Sequence, residues 1–123
     1  MNPNLITGNI IDAAMKVHTA LGPGLLEGAY AACLLHELRK RKLTAFSQVI
    51  LPVHYDGVTI DIGYRVDLLV ENSVIVELKA VERVLPVHAA QLLSYLKLSG
   101  HQLGLLINFN VCHLKDGIQR FIL

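Results

Sequence analysis

The chain has 123 residues, a length that suits one domain with a single hydrophobic core and leaves no room for a second. Hydrophobic residues make up 53% of the chain and the formal net charge is +1, which excludes a global basic field as the means of attracting nucleic acid. No apolar run reaches the roughly 18–20 residues that span a bilayer, and no basic segment followed by an apolar one opens the chain. We therefore expect a cytoplasmic protein with no membrane partner.

The cysteines and the apolar surplus give two further expectations. Cys33 and Cys112 stand in apolar surroundings without the spacing of a metal site, so they are predicted to be reduced core thiols. An apolar content this high in a small domain often serves a subunit interface, which favours a homodimer.

The predicted elements follow the order helix, helix, three strands, helix, two strands. Apolar residues at helical spacing predict the first two helices, and Gly22-Pro23-Gly24 forces the turn between them. Asp56-Gly57 and Asn72-Ser73 are tight-turn signals, so the three strands should form an antiparallel meander, and the third helix should return the chain to the sheet as a crossover. The predicted fold class is α/β, a mixed β-sheet flanked by helices. The predicted bounds are 4–20, about 25–42 and about 87–99 for the helices, and 46–55, 58–70, 74–80, 104–109 and 118–123 for the strands.

The segment Glu77-Leu78-Lys79 places two charged side chains on one face of an otherwise apolar strand. Counting back from the turn at Asn72-Ser73 predicts that Asp67, on the preceding strand, lies opposite Glu77 or Leu78 with Cβ atoms about 5 Å apart. Two carboxylates at that distance repel each other unless a divalent cation lies between them, and Mg²⁺ prefers oxygen ligands. An activated water beside Lys79 could then attack phosphorus, while the ammonium offsets charge in the transition state.

An ordinary salt bridge would explain the same triplet. Glu77 could pair with Lys79 or with Arg65 at a sheet edge. An acid-x-Lys triplet also arises by chance about as often as not in a chain of this composition. The residues alone leave both interpretations open.

Two helices carry polar side chains that could face a common cleft. Glu27 and Tyr30 lie one turn apart in the second helix, and His88, Gln91 and Tyr95 follow at helical spacing in the third. Each has a structural alternative, because an acid suits the positive end of a helix dipole and a polar stripe can be an exposed face. Taken one at a time, these positions favour the structural alternative.

Positive charge is concentrated in the run Arg39-Lys40-Arg41-Lys42. This run, with Arg83 and Lys97, could contact the backbone of a nucleic acid. It also stands at the end of a predicted helix, where exposed cations suit the macrodipole. Both roles remain open at this point.

The segment Gly24-Leu25-Leu26-Glu27-Gly28-Ala29-Tyr30 matches a family signature, and its surroundings match as well. Through these segments the chain resembles the GxxExxY family, a compact branch of the PD-(D/E)XK nuclease superfamily. One departure is that Arg65-Val66 precede Asp67, where the superfamily signature has a proline before the aspartate. The other matching segments are 17–24, 37–40, 64–70, 76–80, 88–96 and 104–109, so the resemblance spans nearly the whole chain.

The resemblance implies a PD-(D/E)XK restriction-endonuclease-like core, present as a single nuclease-like domain over residues 1–123. It implies that Asp67, Glu77 and the carbonyl of Leu78 are metal ligands, that Lys79 is the catalytic lysine, and that Glu27 is an extra acid near the metal. Gln91 and Tyr95 are similar to the Gln-x-x-x-Tyr element of RecB-type nucleases. The predicted substrate-binding residues are Gln91, Tyr95, Tyr30, His88, Arg39, Lys40 and Arg83.

The sequence therefore predicts a metal-dependent nuclease-like domain that hydrolyses phosphodiesters of DNA, or less readily of RNA, with Mg²⁺ or Mn²⁺ as the cofactor. One alternative is a nucleic-acid-binding or regulatory module that keeps the site without turnover. Another is a structural dimerisation domain in which the charged cluster is an ion-pair network. Uptake of a divalent metal separates the first two hypotheses from the third.

Overall fold

A computed structural model describes the backbone of residues 1–123 and the side chains of residues 1–61 and 63–123. Five strands form one sheet, with two helices packed on one face and a third helix on the other. None of the described helices combines the length and the apolar character needed to cross a membrane. The helices are α1 (Pro3–Leu21), α2 (Glu27–Lys40) and α3 (Pro86–Ser99), a 3-10 helix spans Leu114–Gly117, and the strands are β1 (Ala45–Tyr55), β2 (Val58–Val70), β3 (Val74–Lys79), β4 (Leu103–Asn108) and β5 (Ile118–Ile122).

The strand order is β1-β2-β3-β4-β5, with β3 and β4 parallel and the other neighbouring pairs antiparallel. α3 supplies the crossover that two parallel neighbours require. The predicted α/β class, element order and mixed sheet are confirmed, and the element bounds agree to within two residues. The 3-10 helix is an addition, in the place where only a turn was predicted at Asp116-Gly117.

Each face of the sheet carries an apolar core. α1 and α2 pack on the first face, while Leu92 and Leu96 of α3 pack on the second. Complete burial of a Leu or Ile side chain contributes about 1.5–3 kcal/mol, so both cores stabilise the sheet between them. Because side chains alternate along a strand, Glu77 points to the same face as Ile75, which belongs to the α3 core. The opposite face of β3 contributes Val74, Val76 and Leu78 to the core under α1 and α2.

β2 is irregular at Asp67. Leu68 packs in the first core and Val66 in the second, although residues two apart on a regular strand share a face. The pairing of β2 with β3 ends at Leu68 and Val76. On the other side, Gln48 lies opposite Asp67, is skipped in the ladder and has a φ of 54°. From Val66 back to Val58, β2 pairs with β1 as a hairpin and no longer pairs with β3. A gap is therefore left between β2 and the second half of β3.

The cysteine prediction is wrong in part. Both thiols are free, but Cys33 is only half-buried and Cys112 is exposed. Cys112 follows β4 in the segment that leads to the 3-10 helix, where the apolar neighbours in sequence do not cover it.

Gly117 fits against the end of β4 because it has no side chain. A Cβ atom at this position would lie 2.2 Å from the carbonyl oxygen of Asn108, the last residue of β4. We predict that Gly117→Ala lowers the free energy of unfolding by about 1–3 kcal/mol, since the backbone must move to relieve the overlap. Urea or thermal unfolding measures the change.

Gly8→Ala, in α1, is the matched control. A Cβ atom there would have no heavy atom within 4 Å, so alanine should raise the free energy of unfolding by about 0.5–1 kcal/mol. If Gly117→Ala and Gly8→Ala change the free energy of unfolding in the same direction and by similar amounts, the close approach of Gly117 to the Asn108 carbonyl is contradicted.

Candidate active site

Two carboxylates meet where β2 leaves β3. The backbone N–H of Leu78 donates to Asp67 Oδ2 at 2.7 Å, and the backbone N–H of Asp67 donates to Glu77 Oε1 at 3.3 Å. These two hydrogen bonds lie just beyond Leu68 and Val76, the last residues at which β2 and β3 pair through their backbones. The prediction that Asp67 lies opposite Glu77 or Leu78 is confirmed by this geometry.

The carbonyl of Leu78 faces the same gap. The carbonyl of Lys79 accepts from the N–H of Phe109, so the backbone polar groups of Lys79 point to the β4 side of β3. Leu78 is the residue just before Lys79, and its N–H points to the opposite side of β3, where it donates to Asp67. Since the N–H and C=O of one strand residue point to the same neighbour, the Leu78 carbonyl is also directed to the β2 side.

Glu77 is a buried carboxylate that lacks a cationic partner. Its side chain belongs to a residue only 6% exposed. Burial, and then the charge of Asp67, raise the pKa of Glu77 to about 8, with a smaller opposing effect from Lys79. No ion pair among the described side chains includes Glu77, Lys79 or Arg65, and β3 is the middle strand of the sheet. A salt bridge at a sheet edge is therefore not what holds Glu77 in place.

Glu27 is the first residue of α2 and is half-buried. Burial raises the pKa of its carboxyl group, the charge of Asp67 raises that pKa further, and the ammonium of Lys79 lowers it. The three charged groups are thus close enough to interact. α2 directs its N-terminal end, the positive end of its dipole, at the carboxylates.

Tyr30 shapes the turn that leads to Glu27. The residue is fully buried, its hydroxyl donates to the carbonyl of Gly22 at 2.6 Å, and the N–H of Leu25 donates to that hydroxyl at 3.1 Å. Its ring stacks on Phe109 with the ring centroids 4.5 Å apart. Tyr30 has no exposed surface for a substrate, so the predicted direct contact is not supported. Its observed role is to hold the segment that positions Glu27.

α3 brings two of the predicted substrate-binding residues to the carboxylates. Burial raises the pKa of the Tyr95 hydroxyl, the charge of Glu77 raises it further, and a hydrogen bond with Gln91 lowers it. The Tyr95 ring stacks on Tyr64, with the centroids 4.4 Å apart and the planes at 8°, and the Tyr64 hydroxyl donates to the Tyr95 carbonyl at 3.0 Å. Sequence reasoning missed Tyr64, whose one available signal is an aromatic residue three positions before Asp67.

His88 has a structural contact in α3. Its Nδ1 accepts from the backbone N–H of Leu85, the residue just before α3, at 3.0 Å, as the third residue of a helix does in a capping box. Contact between His88 and a substrate stays a prediction.

The cation run lies far from the carboxylates. α2 extends from Glu27 to Lys40, and 14 residues place its ends about 20 Å apart. Arg39 donates two hydrogen bonds to a backbone carbonyl at the start of β1, and Lys40 pairs with an acid one turn earlier. Arg39 and Lys40 are therefore not brought to the site. Arg83, in contrast, is exposed in the loop between β3 and α3, four residues after Lys79.

Sequence reasoning also missed Asn108. This residue ends β4 beside Lys79 and is 3% exposed. Its side-chain amide donates to the carbonyl of Val81 at 2.9 Å, and its Oδ1 accepts from the N–H of Val81 at 3.0 Å. Asn108 thus fixes the chain just beyond Lys79. The available signal was a polar residue near the end of the apolar run at 104–109.

The donor atoms in the gap suit a hard divalent cation. Asp67 and Glu77 supply carboxylate oxygens, Leu78 directs a carbonyl to the same side, and Glu27 lies within electrostatic range. Within the described residues, no three acidic, histidine or cysteine side chains form a metal site by themselves. The fitting set is therefore two carboxylates and a backbone carbonyl, which matches an ion such as Mg²⁺ that retains several waters.

The pKa of Glu77 predicts how stability depends on pH without divalent metal. The folded protein keeps this proton up to about pH 8, whereas an unfolded chain loses it near pH 4.3, the usual value for glutamate. Between these values the folded state binds more protons, so the free energy of unfolding falls as the pH rises through the window and levels off above it. Glu77→Gln should flatten that fall, and Asp67→Asn should reduce it and raise the melting temperature at pH 8.

Thermal unfolding in EDTA from pH 5 to 9 measures this dependence. The control is Glu82→Gln, which removes an exposed carboxylate in the loop after β3 and should leave the dependence unchanged. If the melting temperatures of the wild type and of Glu77→Gln change with pH in parallel, Glu77 is ionised over the whole range from pH 5 to 9. That result would contradict the proposed burial of this carboxyl group.

A family model described as the PD-(D/E)XK nuclease superfamily matches residues 4–121. No curated protein and no solved structure matches the chain. The matched range reaches every helix and strand and includes Glu27, Asp67, Glu77 and Lys79. With this match and the mixed sheet that presents these residues, the chain belongs to the PD-(D/E)XK nuclease superfamily.

Proposed function

We propose that this domain hydrolyses phosphodiester bonds of nucleic acid, DNA in preference to RNA, with Mg²⁺ or Mn²⁺ as the cofactor. The observation that carries the proposal is the contact of the buried Glu77 with the partly buried Asp67, neither of which forms an ion pair with a described side chain although Lys79 lies beside them. Membership of the nuclease superfamily supports a nucleic-acid substrate and a divalent metal. The segment Gly24–Tyr30 favours placement in the GxxExxY branch.

The metal would be held by Asp67, Glu77 and the carbonyl of Leu78, with Glu27 as a further acid. When bound, it supplies Lewis-acid stabilisation of the charge on the reacting phosphate. Glu77 must lose its proton to become a ligand, because its pKa is raised to about 8. Metal uptake near neutral pH should therefore release protons.

Lys79 has the position and the freedom needed to act on the reacting atoms. Its backbone is fixed by pairing with β4 and by the Asn108 contacts just beyond it. Its ammonium interacts with Glu27 and Glu77 without forming an ion pair with either. The ammonium can thus orient the attacking water by a hydrogen bond and offset the negative charge that develops on the phosphoryl oxygens.

The nucleic acid would lie between the end of β3 and the face of α3 that carries Gln91 and Tyr95. The Gln91 amide and the Tyr95 hydroxyl can donate hydrogen bonds to phosphate oxygens, and Arg83 can add an ionic contact. Phosphate contacts of this kind carry no sequence information, so cleavage should show low sequence specificity and binding should weaken steeply with salt.

The hypothesis of a structural dimerisation domain requires an ion-pair network at the charged cluster, and the described ion pairs do not form one. An ion-pair network at the cluster would need partners for Asp67 and Glu77, and the described ion pairs include neither residue. A homodimer remains compatible with the nuclease proposal, because Phe46, Ile50 and Tyr55 expose apolar side chains on β1. The remaining competitor is a module that binds nucleic acid without cutting it.

Isothermal titration calorimetry tests metal binding. We expect the wild-type protein to take up Mn²⁺ or Mg²⁺ at this site, with proton release that appears as a dependence of the heat on the buffer. Asp67→Asn should abolish the uptake, because it removes a carboxylate ligand from a site that has few. A protein that binds no divalent cation under these conditions would rule out the enzyme and the metal-loaded binding module together.

Lys79→Ala tests turnover. We expect a loss of about 10²–10³-fold in the cleavage rate, since the variant removes charge stabilisation in the transition state. The fold and the metal affinity should survive, because the ammonium pairs with no described group. Single-stranded, duplex and branched DNA and RNA, each with Mg²⁺ or Mn²⁺, form the substrate panel.

Lys42→Ala is the matched control for that experiment, since it removes the same charge just beyond the distant end of α2. Equal metal-dependent cleavage by the wild type, Lys79→Ala and Lys42→Ala would assign the activity to a contaminant or to another site. Metal binding with no cleavage of any substrate would favour the silent binding module.

A further inference from the structure

A cavity of about 440 Å³ opens in the surface of the domain. Its walls come from the end of α1, the turn at Gly22-Pro23, and the segment Cys112–Lys115 after β4. None of the residues assigned above to the metal or to the substrate lines it. Its volume falls within the range of roughly 300–1,000 Å³ that is usual for small-molecule sites.

The turn that lines the cavity leads to Glu27 of the candidate active site. Gly22 and Pro23 line the cavity, and Glu27 follows Pro23 by four residues, a separation of at most about 14 Å. The hydroxyl of Tyr30 holds this turn by its hydrogen bond to the Gly22 carbonyl. A strand bound across Lys79 could therefore reach the cavity within a few nucleotides.

The polar lining of the cavity is suited to an anion. Lys115 is exposed and forms no ion pair with any described side chain, and no acidic residue lines the cavity. Thr19 adds a hydroxyl group. His18 is 8% exposed, and its Nε2 lies 2.8 Å from the carbonyl of Val111, which can only accept a hydrogen bond. The Nε2 therefore carries a proton and donates it to that carbonyl, and Nδ1 is left for a further polar contact.

We propose that this cavity binds one unpaired nucleotide of the substrate strand, an inference that rests on the proposed nuclease function. Lys115 contacts the phosphate of that nucleotide, and Thr19 and His18 meet the polar edge of its base. Met15 and Pro23 cover the base face with apolar atoms. A hard divalent cation such as Mg²⁺ does not suit the cavity, because no carboxylate is among its lining residues.

The proposal has a consequence for substrate choice. A base can enter a cavity in the protein surface only after it leaves the stack of a duplex. The subsite should therefore favour a single strand, or an unpaired end beside a duplex, over a continuous duplex.

The test measures the binding of a fluorescein-labelled single-stranded oligonucleotide by anisotropy at several salt concentrations. All proteins carry Asp67→Asn and are kept in EDTA, so that cleavage does not occur and carboxylate repulsion is reduced. We expect Lys115→Gln to weaken binding roughly 3- to 10-fold at low salt and to reduce the slope of log K against log salt by about 0.7, the value for one phosphate contact on a single strand. Lys42→Gln removes the same charge away from the cavity and should leave the slope unchanged.

Thiol alkylation gives a second measurement on the same protein. Cys112 is exposed in the cavity wall, so the oligonucleotide should slow its alkylation. Cys33 lies between α1 and α2 and serves as the internal control.

The outcomes separate the subsite from the function. Equal effects of Lys115→Gln and Lys42→Gln, with Cys112 unprotected, would overturn the subsite and leave the nuclease proposal intact. An equally large effect of Lys115→Gln on blunt duplex would overturn the assignment to an unpaired nucleotide. Failure of the parent protein to bind any oligonucleotide would overturn the subsite, whereas failure of the metal-loaded wild type to cleave any substrate of the panel would overturn the proposed hydrolysis.

Discussion

The contact of Asp67 with Glu77 is the constraint on which the site depends. Two like charges in a buried gap destabilise the folded state, and without a cation the protein relieves this by keeping a proton on Glu77, whose pKa rises to about 8. The gap exists because β2 becomes irregular at Asp67 and departs from β3. Apolar cores on both faces of the sheet supply the stability that permits this local cost.

The order of the sheet explains why so many polar groups converge on one edge. β3 and β4 are parallel, so α3 must cross over the sheet and begin where β3 ends. α2 begins at the same edge from the other face, which brings Glu27 within range of Asp67 and Lys79. Asn108 at the end of β4 then fixes the chain after Lys79. Carboxylates, an ammonium group and the N-terminus of α2 thus meet at the edge where β3 ends.

The sequence was informative where local rules determine the structure. The length of a turn sets the register of the strands it joins, and here residues 71–73 connect the paired residues Val70 and Val74. The position of Asp67 opposite Glu77 could therefore be counted from the turn signal at Asn72-Ser73. Helical spacing likewise placed Gln91 and Tyr95 together.

The failures concern residues whose partners are distant in the chain. Tyr30 is buried through its stacking on Phe109 and Asn108 binds Val81, and neither contact follows from spacing. Cys112 shows the same limit, because its apolar sequence neighbours pack elsewhere and leave the thiol exposed.

The charge balance at the site couples the metal to the substrate. Without a cation, Asp67 and Glu27 oppose the approach of a phosphate, and among the described residues the ammonium of Lys79 is the cation whose charge acts on Glu27 and on Glu77. The run at Arg39–Lys42 cannot compensate, because it lies at the other end of α2 and most of its side chains bind within the protein. Metal binding reverses the sign of the local field, so a metal ion and a nucleic acid should each strengthen the binding of the other by the same factor. The coupling is a consequence of how few positive charges this chain places near its carboxylates.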